Sequence, residues 1–132
     1  MNRAVAEEFF QLRVGEKRTA SFERVDYDGF LAGTVSRPLV YSERNKNCKI
    51  EFDFSPIRNY PSEGPPLLLV LALGVRTFRY RALFPSQAGY PEMRMLNDDG
   101  DARGRGARRV ITTLDEVELR WAAAKLRSPL ER

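Results

Sequence analysis

Apolar and polar residues alternate without interruption from Asn47 to Phe54, with Cys48, Ile50, Phe52 and Phe54 at one parity and Asn47, Lys49, Glu51 and Asp53 at the other. A period of two sends successive side chains to opposite faces, so this segment predicts a half-buried strand in which Cys48 packs as a small hydrophobe. Leu67 to Leu73 is a continuous apolar run of strand length, which predicts a fully buried strand. Gly74-Val75-Arg76-Thr77 then leads into Phe78 to Phe84, where Phe78, Tyr80, Ala82 and Phe84 alternate with Arg79, Arg81 and Leu83. Two such runs joined by a short link predict a hairpin, placed at the centre of an antiparallel sheet. Upstream the pattern is less regular, with strands expected near 20–25 and 30–35 and turns at Asp28-Gly29 and Arg37-Pro38.

Helical spacing marks both ends of the chain. Val5, Phe9 and Leu12 fall at i, i+4 and i+7, widened by Ala6 and Phe10, so a helix is expected over 3–13 with Gly15 ending it. Near the other end, Thr113-Leu114-Asp115-Glu116 has the form of a capping box, with Leu114, Val117, Trp121 and Ala124 as the buried stripe and Lys125 and Arg127 near the negative end of the dipole. Pro91 suits the first turn of a short helix that buries Met93 and Leu96 and ends before Asn97. The prolines and Gly64 between Ser55 and Pro66 predict a long exposed loop, and 101–109 is a basic, glycine-containing connection. No internal repeat is present, and one α+β domain spanning 1–132 is expected.

Composition narrows the chemistry. Histidine is absent and Cys48 is the single cysteine, so the commonest general bases and zinc ligands are missing, and an enzyme is not expected. The unpaired cysteine suits a cytoplasmic setting, and Glu7 and Glu8 interrupt what a signal peptide would need as an apolar stretch. No run of apolar residues reaches membrane-spanning length, and no membrane partner is expected. Of the 22 cations 18 are arginine, and the net charge is +4, with +1 in residues 1–60 and +3 in 61–132. Such an excess permits a polyanionic partner, although a genome rich in G and C also writes Arg where others write Lys.

Three arginine groupings have the donors that phosphate or base edges require. Arg76, Arg79 and Arg81 cluster on the predicted hairpin, the latter two projecting from one face about 7 Å apart, or else forming a solvated face. Arg103, Arg105, Arg108 and Arg109 alternate with glycines and could order in a groove, or form a surface connection offset by Asp98, Asp99 and Asp101. Arg44, Asn45 and Lys49 lead into the alternating strand, where ordinary turn chemistry is the competing explanation. Carboxylates offer only Asp26, Asp28, Glu51 and Asp53, a weak set for Mg2+, and no cofactor or metal is expected.

Arg44-Asn45 before a cationic strand with Ile50, the proline-rich loop, the apolar strand Leu67 to Leu71 and the aromatic strand Phe78 to Phe84 together resemble the B-three type pseudobarrel, the DNA-recognition domain of plant transcription factors and of restriction endonucleases of the EcoRII type. The resemblance covers about residues 40–85 and departs at Glu51 and Asp53, where that family carries cations. It implies a mostly antiparallel β pseudobarrel of about six strands with an N-terminal and a C-terminal helix. Functionally it implies duplex DNA binding without chemistry, linked to restriction or defence, with catalysis supplied by a partner. Only Arg44, Asn45 and Lys49 carry over from it. The alternative is a protein-interaction module of adaptor, inhibitor or immunity type, whose contact residues would be Asn59 to Pro66, Tyr41, Tyr60 and Tyr90. Surface electrostatics separate the two, since Arg76, Arg79, Arg81 and the 103–109 loop on one face favour nucleic acid, whereas acids interspersed among them favour a protein partner.

Overall fold

A computed structural model describes residues 5–44, 48–49, 66–98 and 110–131. The chain is α+β, built on one open mixed sheet. Five strands, β1 (Lys17–Val25), β2 (Leu31–Tyr41), β3 (Cys48–Lys49), β4 (Leu67–Gly74) and β5 (Thr77–Leu83), lie in the order β3-β2-β1-β5-β4. Among the described residues the α-helices are α1 (Tyr90–Asp98) and α2 (Leu114–Arg120), the latter followed by a tight turn of helix at Ala122–Ala124, and a short N-terminal helix spans Val5–Phe9. Among the described residues no helix is long and apolar enough to cross a membrane.

This arrangement corrects the expected pseudobarrel of about six strands. Among the described residues the end strands β3 and β4 do not meet, so the sheet is not closed, and its central pair is parallel: Phe22 stands beside Phe78 and Arg24 beside Tyr80. The β1-β2 and β4-β5 pairs are antiparallel. A parallel pair at the centre needs both faces covered, and both faces have a core. Even-numbered positions of β5 carry Phe78 and Tyr80, which pack with Ala20, Phe22, Leu39 and Tyr41 from β1 and β2 beneath Ala6, Phe10 and Leu12. On the other face Leu83 packs with Tyr90, Met93, Leu96, Val117 and Ala124.

Local chemistry accounts for most element ends. Asp26 Oδ1 accepts from the backbone N–H of both Asp28 and Phe30, closing the β1-β2 turn with Gly29 at φ +90°, as the Asp-Gly pair predicts. The strands on either side run further than expected, and the turn expected at Arg37-Pro38 is interior to β2. Pro38 is tolerated because, among the described residues, β3 pairs with β2 only at Val40 and Tyr41, which leaves the missing N–H at position 38 without cost on the outer edge. The N-terminal helix is also shorter than its stripe suggests. It spans Val5–Phe9, closes with a bond from Phe10 N–H to the Val5 carbonyl, and ends because Gln11 is left-handed at φ +54°, four residues before Gly15. Its apolar residues still reach the core as expected.

The run Leu67 to Leu73 is not fully buried. As β4 it is an edge strand, pairing among the described residues with β5 alone, and Leu68 and Leu73 remain 36% and 41% exposed. An apolar sequence reports affinity for a strand and for burial, but not which neighbours the topology supplies. Only Cys48–Lys49 of the expected strand 47–54 lies among the described residues, and the packing expected of Cys48 lies outside them.

The start of α2 follows half of its capping-box signature: the Thr113 cap forms, but the Glu116 side chain, expected to reach back to the cap, pairs with Arg120 instead. Thr113 is the N-cap, its Oγ1 accepting from Glu116 N–H at 3.2 Å, while the Glu116 carboxylate accepts from Arg120 Nε at 2.9 Å. The helix then stops at Trp121, before the end of the predicted stripe, because Trp121 turns extended and lays its ring across Gly89. A Cβ built on Gly89 would lie 2.3 Å from Trp121 Cε2, and the residue is at φ +90°. Gly89→Ala is therefore expected to cost about 2–5 kcal/mol from overpacking and backbone strain combined. Gly33→Ala is the control, since Gly33 has φ +140° and nothing within 4 Å of the added carbon. Urea melts decide between them, and equal losses in the two variants would show that contact with Trp121 does not set the requirement at position 89.

Candidate functional site

Arg79 and Arg81 share the face of β5 that looks onto the C-terminal segment, as their spacing predicts, but neither lies on a solvated face. Arg79 Nε and Nη2 donate to Glu23 Oε2 at 2.9 and 2.8 Å, and Nη1 donates to the Leu126 carbonyl at 2.6 Å. Arg81 is only 5% exposed. Its Nη1 donates to the carbonyls of Ala123 and Ala124 at 3.2 and 2.7 Å, its Nη2 to that of Tyr27 at 3.1 Å, and its guanidinium lies 4.7 Å from the Trp121 ring centroid. Burial pulls its pKa below the ordinary arginine value, opposed by the nearby charges of Asp26 and Asp28. Buried charges are retained where they are hydrogen-bonded, and here the acceptors are carbonyls of two chain segments that no regular element pairs. Both arginines thus bind the protein to itself, and their forks are not presented to phosphate.

Arg76 differs. It occupies the second position of the two-residue β4-β5 turn, left-handed at φ +53°, and among the described residues no acid pairs with its guanidinium. Beside it a shallow, solvent-open notch of about 40 Å³ lies between the N-terminal helix and the turn, lined by Phe9, Phe10, Phe78, Ala72 and Val75, with Gln11 and Arg76 also in its wall. The three rings form one cluster: Phe10 is 4.9 Å from both Phe9 and Phe78, centroid to centroid. Val75 is 75% exposed at the turn, an unusual site for a β-branched apolar residue. The apolar edge strand β4 runs up to this notch.

Arg44 is exposed in the turn after β2. Lys49 is in β3, and its side chain lies outside the described residues, as do Asn45, Arg103, Arg105, Arg108 and Arg109. Of the expected set, then, the structure brings Arg79 and Arg81 together around the C-terminal segment and leaves Arg76 apart from them at the turn. Two contact residues expected for a protein partner need correction: Tyr41 and Tyr90 are 3% and 6% exposed and belong to the two cores, because each faces the layer that covers its side of the sheet. Tyr60 and 59–65 lie outside the described residues, as do Glu51 and Asp53. Asp26 is engaged in the β1-β2 turn, and among the described residues no group of three potential metal ligands converges. The β4 edge escaped a reading of periodicity, which assigned the leucine run to the interior, whereas Phe78 is interior as its parity indicated. The one available signal was Val75 in a turn.

The described residues therefore define a small α+β fold whose distinguishing exposed feature is the apolar strand β4 at the end of the sheet. No family model, curated protein or solved structure matches the chain.

The Arg81 geometry makes a quantitative prediction. Arg81→Ala leaves the carbonyls of Tyr27, Ala123 and Ala124 without their donor and is expected to lower the unfolding free energy by about 3 kcal/mol or more. Arg81→Lys keeps the charge but loses the planar fork, and about half that loss is expected. Urea denaturation measures both, and a loss below about 1 kcal/mol for Arg81→Ala would show that the C-terminal segment is held by packing alone.

Proposed function

We propose that this chain is a non-catalytic protein-interaction module that takes an extended segment of its partner along the free edge of β4. The observation that carries this is the exposed edge itself: eight uncharged residues, Leu67–Gly74, paired on one side only among the described residues, with Leu68 and Leu73 exposed along them. Unpaired backbone N–H and C=O groups on such an edge are a template for strand addition, in which main-chain bonds supply affinity and alternate side chains supply selectivity. Natural edge strands are usually protected by a charge, a proline or a bulge directed against pairing. In β4 the irregularity falls only at Ala72/Gly74, beside the notch.

Electrostatics support a protein partner over duplex DNA. Two of the arginines expected to grip phosphate are interleaved with acids among the described residues: Arg79 is paired with Glu23, and Arg81 is under the charges of Asp26 and Asp28. DNA binding linked to restriction or defence would then rest on Arg44, Arg76 and the arginines of 103–109, without Arg79 and Arg81.

Selection of a displayed peptide library on the full chain tests the proposal. Extended peptides with alternating apolar residues are expected to be enriched, and Leu68→Lys, a charge placed on the exposed edge, is expected to weaken their binding at least tenfold while leaving the melting temperature within a few degrees. A labelled DNA duplex titrated at two salt concentrations runs in parallel. Absence of peptide enrichment together with saturable, steeply salt-dependent duplex binding would overturn the proposal in favour of nucleic acid.

A further inference from the structure

We infer that the segment β4 receives is β4 of a second copy of this chain, so that two sheets join edge to edge across a two-fold axis. This rests on the edge-pairing function proposed above and names its partner. The pairable stretch is bounded at both ends. Pro66, immediately before β4, has no N–H to offer a neighbour, and the register irregularity between Ala72 and Gly74 breaks the ladder at the far end. Between them Leu67, Leu68, Leu69, Val70 and Leu71 form about 17 Å of regular strand.

Charge and symmetry favour a copy of the same strand. A two-fold axis sets residues of β4 against residues of β4, so a charge near the axis would meet its like, and like charges directly opposite are destabilising. β4 carries no charge at any position. Residues facing each other across an antiparallel pair point to the same face, so the axis passes through a residue and not between two. Centred on Leu69, the middle of the regular stretch, it sets Leu67 against the partner's Leu71 and Leu69 against its own equivalent on the face that α1 covers. Leu67 and Leu69 already pack on the core there. On the other face exposed Leu68 meets the partner's Val70, a residue that packs against the Phe22 and Phe78 core in its own chain. Both cores thus continue across the axis.

The opposite end of the sheet limits the assembly to two. Among the described residues β3 covers β2 only at Val40 and Tyr41, and the rest of that outer edge carries Arg37, Pro38 and, beside the irregularity at Arg24/Val25, Gly33 at φ +140°. Charge, proline and bulge are the devices by which natural edges refuse pairing. One open edge and one refusing edge give a closed pair, whereas two open edges would build a fibre. An uncovered apolar edge is also an aggregation hazard, which self-pairing removes.

Sedimentation velocity of the full chain over a concentration series tests the inference. So short a pairing is below the size of a permanent interface, and a reversible dimer in the micromolar range is expected. Leu68→Lys is expected to weaken it at least tenfold while melting within a few degrees of the parent chain. With the single native cysteine replaced, Cys48→Ser, mild oxidation is expected to crosslink Leu69→Cys between copies faster than Val75→Cys, an exposed turn position that reports random collision. Peptides enriched in the library selection are expected to dissociate the dimer, since both need the same edge. A chain that stays monomeric up to millimolar concentration overturns the inference, as does a dimer that Leu68→Lys leaves unchanged and that crosslinks no faster at position 69 than at 75. Edge pairing itself then stands if the library still yields peptides whose binding Leu68→Lys weakens, and falls as well if the library enriches nothing.

Discussion

The buried guanidinium of Arg81 is the interaction on which the described half of the sheet and its covering depend. It projects from the interior strand β5 and donates to Tyr27 in the β1-β2 turn and to Ala123 and Ala124 after α2, while its flat face lies against Trp121. The same C-terminal segment is tied to that turn a second time, by Leu31 N–H to the Leu130 carbonyl and Leu130 N–H to the Gly29 carbonyl. Arg79 adds a third tie at Leu126. The segment also buries Ala124 and Leu126, and a desolvated cation serving several of the carbonyls around it is a further fastening. It also explains why Gly89 must lack a side chain: the ring that stacks on Arg81 occupies that space.

A second constraint comes from the parallel contact between β1 and β5. Placing these strands side by side requires a cover on each face, and the chain provides a thin N-terminal helix on one and the α1, α2 and C-terminal layer on the other. The aromatic pair Phe22 and Phe78, nearly parallel at 5.3 Å, sits at the middle of the first core, and Tyr80 meets Phe22 edge-on at 6.3 Å. Ring pairs of this kind contribute about 0.5–1.5 kcal/mol beyond the area they bury. Because the sheet is not closed, covering its faces leaves its ends untouched, and the β4 edge and the notch beside the turn follow from that.

Local signals in the sequence translated well where the chemistry is itself local. The Asp-Gly turn, the Thr113 cap, the short helix after Pro91 and the β4-β5 hairpin each depend on residues within a few positions of one another, and each formed where the residues indicated. Long-range consequences were less legible. Helical spacing over 3–13 identified Ala6, Phe10 and Leu12 as core residues, yet Gln11 ends the helix early. The stripe through Trp121 likewise marked residues that turn toward the core without remaining helical, because Arg81 and Gly89 draw the ring out of register.

By itself the sequence determined an α+β chain without histidine chemistry, the parity of β5, core residues such as Ala6, Phe10, Leu12, Met93, Leu96 and Val117, and the Asp28-Gly29 and β4-β5 turns, since all of these follow from composition, periodicity and short-range hydrogen bonding. Tertiary structure alone decided which strand lies at the edge, that β1 and β5 run parallel, that the sheet stays open, and which arginines face inward. The physical reason is that a strand's period reveals two faces but not its neighbours, and an arginine's charge reveals nothing about whether its fork will meet water, phosphate or the chain's own carbonyls. Arg76 and Arg81, five residues apart on one hairpin, are alike in sequence and opposite in fate: one remains in the β4-β5 turn, and the other closes the structure around itself.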